Sequence, residues 1–171
     1  MPITKDPTEL VLGRCDVTFD GVTLGHTLGG CVVNVATELQ DLKVDDYGNS
    51  VLDKVVSGLI VTVKVPLAQD EYEVFAKAFP VGTDSASKVT MGGTVGKLLS
   101  TESGELVLHP AKNDSDDLLQ DVVLWKAVAE ESGDVTFKVD EQLAVEVTFT
   151  GLVDTSRSDG DMIAMFGDSN T

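Results

Sequence analysis

The sequence has few positive charges. Its 171 residues include 12 lysines and arginines against 29 aspartates and glutamates, which gives a formal net charge of −17. A chain with this charge repels nucleic-acid phosphates instead of releasing their counterions, so the basic-patch mode of nucleic-acid binding is excluded. The same charge disfavours binding to anionic membrane surfaces.

Long hydrophobic runs and a cysteine framework are missing as well. No run of about 18 apolar residues occurs, so we expect no membrane-spanning helix. Residues 1–12 include charged side chains and no apolar core, and we therefore expect no secretory signal. Cys15 and Cys31 are too few for a disulfide scaffold, and we expect both to be reduced.

Motifs for catalysis and metal binding are scarce. His26 and His109 are the only histidines, and no Gly-x-Ser-x-Gly, His-Glu-x-x-His or Cys-x-x-Cys motif occurs. The acidic stretches 45–49 and 114–117 lack the spacing of a calcium loop. We therefore expect no catalytic residue, no metal ligand and no cofactor. A hydrolase that uses two carboxylates stays an alternative, because such a pair needs no fixed sequence spacing.

What the sequence does contain is a series of β-strand patterns. Alternation of apolar and polar residues predicts strands over 15–19, 31–39, 55–65, 105–109, 122–129, 135–139 and 143–153. In the last of these, Val145, Val147 and Phe149 alternate with polar residues, which indicates an antiparallel sheet with one buried and one wet face. We expect a mostly β chain that folds as an antiparallel β-sandwich or barrel.

One flanking α-helix is predicted over residues 70–79. Asp70 and Glu73 have the spacing of a capping box at its start, and Pro80 ends it. The apolar stripe that would pack against the sheet consists of Tyr72, Phe75, Ala76 and Phe79.

Three further segments organise the chain. Residues 41–54 are predicted to form a protruding loop between two strands, and residues 81–104 to form a loose loop. Residues 1–154 would then form the β domain and residues 155–171 a C-terminal arm. The arm contains an apolar cluster that could contact its own domain or a neighbouring copy, and we take as its contact residues Met162, Ile163, Met165 and Phe166.

This organisation favours self-assembly. A sheet of short antiparallel strands has edges that must be hidden or blunted. A long central loop, a separate C-terminal segment and a high negative charge fit a subunit whose sheet edges are closed by its neighbours in a ring.

Several motifs occur in the order found in a known family. The stretch from Gly21 to Gly30 reads G-x-x-L-G-x-T-x-G-G, Asp45 to Asp53 reads D-x-x-G-x-x-x-x-D, and Leu106 to Pro110 reads L-x-L-H-P. Strands follow at 122–129 and 145–152. Over residues 10–154 the chain resembles the tail tube proteins, or major tail proteins, of long-tailed bacteriophages.

The resemblance implies a β-sandwich-like subunit with a flanking helix, six copies of which form a ring. Rings would stack into a helical tube in which the sheets join in a continuous inner barrel. The chain would then be a structural protein of the virion tail, and the tail would be assembled in the host cytoplasm. The implied partners are other copies of the chain, a tape measure protein, and the tail initiator and terminator proteins. No membrane partner is implied. The loop at 41–54 would reach the adjacent ring, and its contact residues would be Asp45, Asp46, Tyr47, Gly48, Asn49 and Asp53.

In such a tube, DNA must pass during viral genome ejection without specific binding. An acidic lumen offers phosphate no cationic partner, so the counterion-release contribution to binding is absent. The polar faces of the two clearest strands supply the candidate lumen residues, which are Thr62, Lys64, Glu146, Thr148 and Thr150. The alternatives are outward-facing positions for these residues, a tube of a secretion or injection system, and an acidic β-sandwich binding module or carboxylate hydrolase.

Overall fold

The fold is mostly β, with one large antiparallel sheet. The computed structural model describes residues 13–68, 72–85, 88–92, 95–130 and 145–169. The strands of the large sheet are β1 (Cys15–Phe19), β2 (Val22–Thr23), β3 (Val32–Leu42), β4 (Asp53–Leu67), β7 (Gly104–Pro110), β8 (Val122–Glu130), β9 (Val145–Gly151) and β10 (Ala164–Phe166). A separate hairpin consists of β5 (Thr83–Ser85) and β6 (Lys88–Thr90), and one α-helix, α1, spans Tyr72–Ala78.

The strand order of the sheet is β2-β1-β7-β8-β9-β4-β3, and β10 pairs with β8. β8 contacts three strands, because β9 pairs with its second half and β10 lies beside its first half. Within the described ranges the sheet does not close, since no strand pairs with the outer side of β3. A single chain therefore has an open antiparallel sheet, and its structure does not confirm the predicted sandwich or barrel.

The core lies on one face of the curled sheet. Phe149 of β9 is fully buried, and its ring lies 4.9 Å from that of Phe19 in β1. The buried apolar residues that surround them include Val17, Leu24, Val61, Val63, Val65, Leu106, Leu108, Leu124, Val145 and Val147. These residues alternate along their strands, as the sequence pattern predicted for a half-buried antiparallel sheet.

The turn between β1 and β2 has the backbone that a two-residue hairpin requires. Asp20 and Gly21 both have positive φ, at 50° and 75°, which is the pattern of a type I′ turn. Lys77 of α1 donates a 2.6 Å hydrogen bond to the Asp20 carboxylate, so the helix is tied to this turn.

The helix is confirmed over Tyr72–Ala78. Among the described side chains of this segment Val74 and Ala78 are buried, and two members of the predicted stripe, Ala76 and Phe79, are half-buried. The predicted cap at Asp70 and the side chains of Glu73, Tyr72 and Phe75 lie outside the described residues. No helix in the described part of the chain has the length and hydrophobicity needed to cross a membrane.

The predicted loops are shorter than expected. Segment 81–104 contains β5, β6 and a 3₁₀ turn at Leu99–Glu102, so its interpretation as a loose loop was wrong. The loop at 41–54 contracts to residues 43–52, because β3 continues to Leu42 and β4 begins at Asp53. At the tip end of β3 and β4 both faces of the strands are exposed. Such strands have no hydropathy alternation, so the sequence pattern predicts a loop where the structure has strands. The strand predicted at 135–139 lies outside the described residues.

The buried position of Phe149 generates a stability prediction. Phe149→Ala should lower the free energy of unfolding by about 3–5 kcal/mol, because it removes a fully buried aromatic ring and leaves a cavity. Urea denaturation followed by circular dichroism measures the change. The exposed Val153→Ala should change stability by less than about 0.5 kcal/mol, and an equal loss in both variants would contradict the assigned core.

Candidate assembly interface

A long hairpin projects from the sheet. β3 and β4 pair from Val32 with Lys64 to Leu42 with Asp53, while β9 pairs only with the second half of β4. We call residues 34–60 the distal hairpin, and none of its side chains is buried. At about 3.3 Å per residue, the strands extend roughly 25 Å beyond the last β4 residue that faces the core.

The apolar face of the core continues along the distal hairpin. Val63 and Val61 face the core and are 0% and 1% exposed. The next residues on the same face are Leu59 and Val56 in β4, with Val35 and Leu39 as their neighbours in β3. Leu39 and Val56 form a direct cross-strand pair, yet they are 52% and 62% exposed. One continuous apolar surface therefore starts inside the core and ends in solvent.

The opposite face and the tip of the hairpin are also partly apolar. Ile60, Val55 and Leu42 are exposed on the opposite face, and Val44, Tyr47, Val51 and Leu52 are exposed at the tip. Exposed apolar side chains therefore cluster on one hairpin, and a contiguous apolar patch on a protein surface is typical of an interaction site. A two-stranded hairpin without a packed face is also only marginally stable in water.

The predicted contact residues of the loop lie together at the tip. Asp45, Asp46 and Tyr47 form a 3₁₀ turn, and Gly48 follows with a positive φ of 62°. Asn49 comes next, and Asp53 begins β4 and accepts a 2.7 Å hydrogen bond from the Lys54 backbone N–H. All six predicted loop residues are exposed. The sequence analysis missed the exposed apolar side chains behind the tip, although the apolar pairs Val55–Val56 and Leu59–Ile60 were a visible signal.

β3 has an open edge along its whole length. Among the described strands, β4 is its only partner. An edge of eleven residues leaves a row of backbone donors and acceptors free to pair with another chain. The other end of the sheet differs, because β2 has only two residues.

The predicted lumen residues share one face of β4 and β9. Thr62 pairs with Thr150, Lys64 pairs with Thr148, and Lys64 Nζ lies 3.3 Å from Glu146 Oε1. Because Val63, Val65, Val147 and Phe149 face the core, the five predicted residues lie on the opposite face, which we call the outer face.

The outer face is strongly acidic. Its strand carboxylates are Asp16, Glu38, Asp53, Glu105, Glu130 and Glu146. Lys64 is the one cation that strand alternation assigns to this face in the described strands, apart from Lys126, which lies where β8 shifts register against β7. Since Lys64 is paired with Glu146, the outer face offers little positive charge to a phosphate.

The predicted C-terminal arm lies against its own sheet. Segment 164–166 forms β10, which pairs with Val122–Leu124 of β8. Met162, Ile163 and Met165 are half-buried there, whereas Phe166 is 61% exposed. Of the four predicted contact residues, Phe166 therefore presents the most surface to another copy.

A side-chain cluster holds this segment on β8. The guanidinium of Arg157 lies 3.5 Å from the ring centre of Trp125, and the indole N–H of Trp125 donates a 2.9 Å hydrogen bond to Asp161. Arg157 also donates two hydrogen bonds to Asp161 Oδ2, at 3.0 and 2.6 Å. The hydrogen bonds from Arg157, followed by the one from Trp125, hold the pKa of the Asp161 carboxyl below its usual value.

A small polar depression between α1 and β1 brings two carboxylates together. It has a volume of about 130 Å³, and Asp20 and Glu102 both line it. Lys77 binds Asp20 and Lys97 binds Glu102, so both carboxylates are engaged. Ligand pockets commonly measure about 300–1,000 Å³, and this depression is smaller. The described residues also bring together no group of three or more metal-ligating side chains.

Comparison with known proteins assigns no family to this geometry. No protein-family model matches the chain, and no curated protein matches it.

The Asp161 cluster predicts a pH-dependent signal from Trp125, the only tryptophan in the sequence. A depressed pKa means that the interaction is present at neutral pH and is lost as the pH falls through and below the ordinary carboxyl range near 4. Trp125 fluorescence should therefore be constant near neutrality and change only in acid.

Asp161→Asn should remove this acid transition, because its side chain cannot titrate. Asp159→Asn is the control, since Asp159 is exposed and close in sequence, and it should keep the wild-type fluorescence curve. An unchanged titration in Asp161→Asn would contradict the assigned cluster. Circular dichroism at each pH separates local release of the segment from global unfolding.

Proposed function

We propose that this chain is a structural subunit of a phage tail tube. Six copies would form a ring, and rings would stack into a tube through which viral DNA passes. In this proposal the chain has no catalytic role, and its partners are other copies together with a tape measure protein and the tail initiator and terminator proteins. The site of action is the virion tail, after assembly in the host cytoplasm.

The distal hairpin is the observation that carries the proposal. The apolar surface of the core extends into the pair Leu39 and Val56, and no described residue covers it. Burying a large apolar side chain contributes about 1.5–3 kcal/mol relative to leaving it exposed. Several such side chains on one hairpin supply enough free energy to hold a partner, and they make an uncovered hairpin an aggregation hazard.

A second copy of the chain is the occupant that fits best. The long open edge of β3 can continue its backbone hydrogen bonds into a strand of a neighbour. The edge at β2 is short and different, so contact between unlike edges would be head to tail, and a rotation of one sixth of a turn between copies would close it into the proposed ring. A sheet joined in this way across copies would become the closed barrel that one open sheet does not form.

The acidic outer face supports the second part of the proposal, a conduit for DNA. If this face lines the tube, DNA passes six strand carboxylates in every copy, against Lys64, which is paired with Glu146, and Lys126. No large release of counterions then rewards binding, and DNA can move without being held.

A tube of a secretion or injection system would use the same hairpin and the same edges. Its distinguishing features would be the neighbouring genes and the loading of an effector into the lumen. An acidic binding module or a carboxylate hydrolase would need a pocket with two free carboxylates, and the two carboxylates of the α1–β1 depression are bound by lysines.

Assembly of the purified chain tests the proposal. Rings or tubes should appear in negative-stain electron micrographs, and raising salt to about 0.1 M or above should promote them, because it screens the repulsion between acidic copies over about 10 Å. Leu39→Ser with Val56→Ser should raise the protein concentration needed for assembly at least tenfold, since each change removes apolar burial between copies.

The matched control is Leu98→Ser, a change to an exposed apolar residue outside the hairpin, which should leave assembly unchanged. Because Leu39 and Val56 are exposed in the monomer, the double variant should unfold within about 1 kcal/mol of the wild type. A wild-type chain that stays monomeric in every salt, with tail initiator present, would overturn the proposal. If the double variant assembled at the same concentration as the wild type, the hairpin would not be the assembly contact.

The position of the outer face has a separate test. Thr148→Cys, in a chain with Cys15 and Cys31 replaced by serine, should react with a small maleimide in assembled tubes but resist a maleimide carried on a large polymer that cannot enter the bore. Asp116→Cys, in an exposed loop, provides the comparison. Equal reaction of Thr148→Cys with both reagents in intact tubes would assign the outer face to the outside of the tube.

A further inference from the structure

The two cysteines meet although they belong to distant parts of the sheet. Cys15 is the first residue of β1, and Cys31 immediately precedes β3. Four strands separate β1 from β3 in the sheet order. Both side chains are half-buried against the same core, and the Cys31 thiol donates a hydrogen bond to the Cys15 sulfur. The two ends of the curled sheet therefore approach each other at this pair of thiols.

The connection from β2 to β3 brings the thiols together. Leu24 is buried, and its backbone N–H bonds to the carbonyl of Val17 in β1. The chain then crosses to the end of β4, where the N–H of Leu28 bonds to the carbonyl of Pro66 and the N–H of Ala68 bonds to the carbonyl of His26. Backbone hydrogen bonds on both sides of the connection fix its path, so Cys31 lies beside the start of β1.

We propose that Cys15 and Cys31 are an oxidisable dithiol, which a low-molecular-weight disulfide such as oxidised glutathione converts into an intramolecular disulfide joining β1 to the start of β3. This inference does not depend on the tail tube proposal.

The reaction proceeds by two thiol–disulfide exchanges. The Cys15 thiolate attacks one sulfur of the glutathione disulfide, forms a mixed disulfide and releases one glutathione thiolate. The Cys31 sulfur, after losing its proton to solvent, attacks the Cys15 sulfur and releases the second glutathione thiolate. Both released thiolates take up protons, so two protein thiols are oxidised and one glutathione disulfide is reduced to two thiols.

The electrostatics of the pair suit these roles. The hydrogen bond from Cys31 lowers the pKa of the Cys15 thiol to about 7, against the effect of burial. The same hydrogen bond, together with burial, raises the pKa of Cys31. Cys15 is thus the attacking thiol near neutral pH, and Cys31 is the resolving thiol.

Closing this bond would anchor the root of the hairpin, because Val32, the first residue of β3, directly follows Cys31. It would also restrict the unfolded chain between the two cysteines. The oxidised form should therefore melt roughly 5–10 °C higher than the reduced form.

The test uses the purified full chain in buffers of defined reduced and oxidised glutathione. After acid quenching and alkylation of free thiols, mass spectrometry should find a monomer that has lost two hydrogens and carries no glutathione. A tryptic peptide should link Cys15 to Cys31. Cys15→Ser and Cys31→Ser should instead give a glutathione adduct or a free thiol.

Three outcomes would overturn the proposal. The wild-type thiols could stay reduced in a buffer that oxidises a reference dithiol, a stable glutathione adduct could accumulate, or disulfide-linked dimers could form in place of the intramolecular bond. Because the reaction is measured on the unassembled chain, failure here leaves the assembly proposal intact, and failure of assembly leaves this result intact.

Alkylation kinetics give a second readout. The rate of reaction of Cys15 with iodoacetamide should rise with pH around a midpoint near 7. In Cys31→Ala the hydrogen-bond donor is lost while burial stays, so the rate at pH 7 should fall about tenfold. Identical pH profiles in the wild type and Cys31→Ala would show that the thiols do not interact. Circular dichroism confirms the fold of the variant.

Discussion

The continuation of the core's apolar face beyond the body of the protein is the constraint on which the rest depends. Val61 and Val63 are buried because strands and a helix enclose them, but the same face of β3 and β4 runs on through Leu39 and Val56 without a cover. A hairpin of this kind gains little from its own two strands. In the proposed assembly, atoms of another copy would cover this face, and the open edge of β3 lies beside it.

Charge works against such an association, and this opposition defines how the copies can meet. Each chain carries −17, and six copies carry sixfold that charge. Six strand carboxylates lie on the outer face, while the hairpin face that continues the core has one charged pair, Asp41 and Lys54, joined by a 2.9 Å ion pair. Apolar contact between copies could therefore form on the hairpin face, where charge is balanced. The carboxylates of the outer face would repel one another less, because water and salt around them screen their charge.

The sequence predicted the sheet well and the hairpin poorly, for a physical reason. Strand β9 has one buried face and alternates in hydropathy, and the structure has it at Val145–Gly151 within the predicted range 143–153. The distal hairpin has no buried face, so the sequence predicts a loop that includes Asp41 and Lys54, although cross-strand pairing keeps them extended. The meeting of Cys15 with Cys31 depends on curling of the sheet, which residue spacing along the chain does not encode.

The unequal edges of the sheet argue for rings over simple pairs. β10 occupies the side of β8 that β9 leaves free, so this inner edge is already filled by the chain's own C-terminal segment. Among the described strands of the large sheet, open edges include the long one at β3, the first half of β4 that β9 leaves unpaired, and the short one at β2, and they are not equivalent. A contact between unlike surfaces repeats from copy to copy, and it gives a ring if the rotation between copies closes and an open filament if it does not. In the assembly proposed above, a closed ring would pair the β3 edge of every copy with its neighbour.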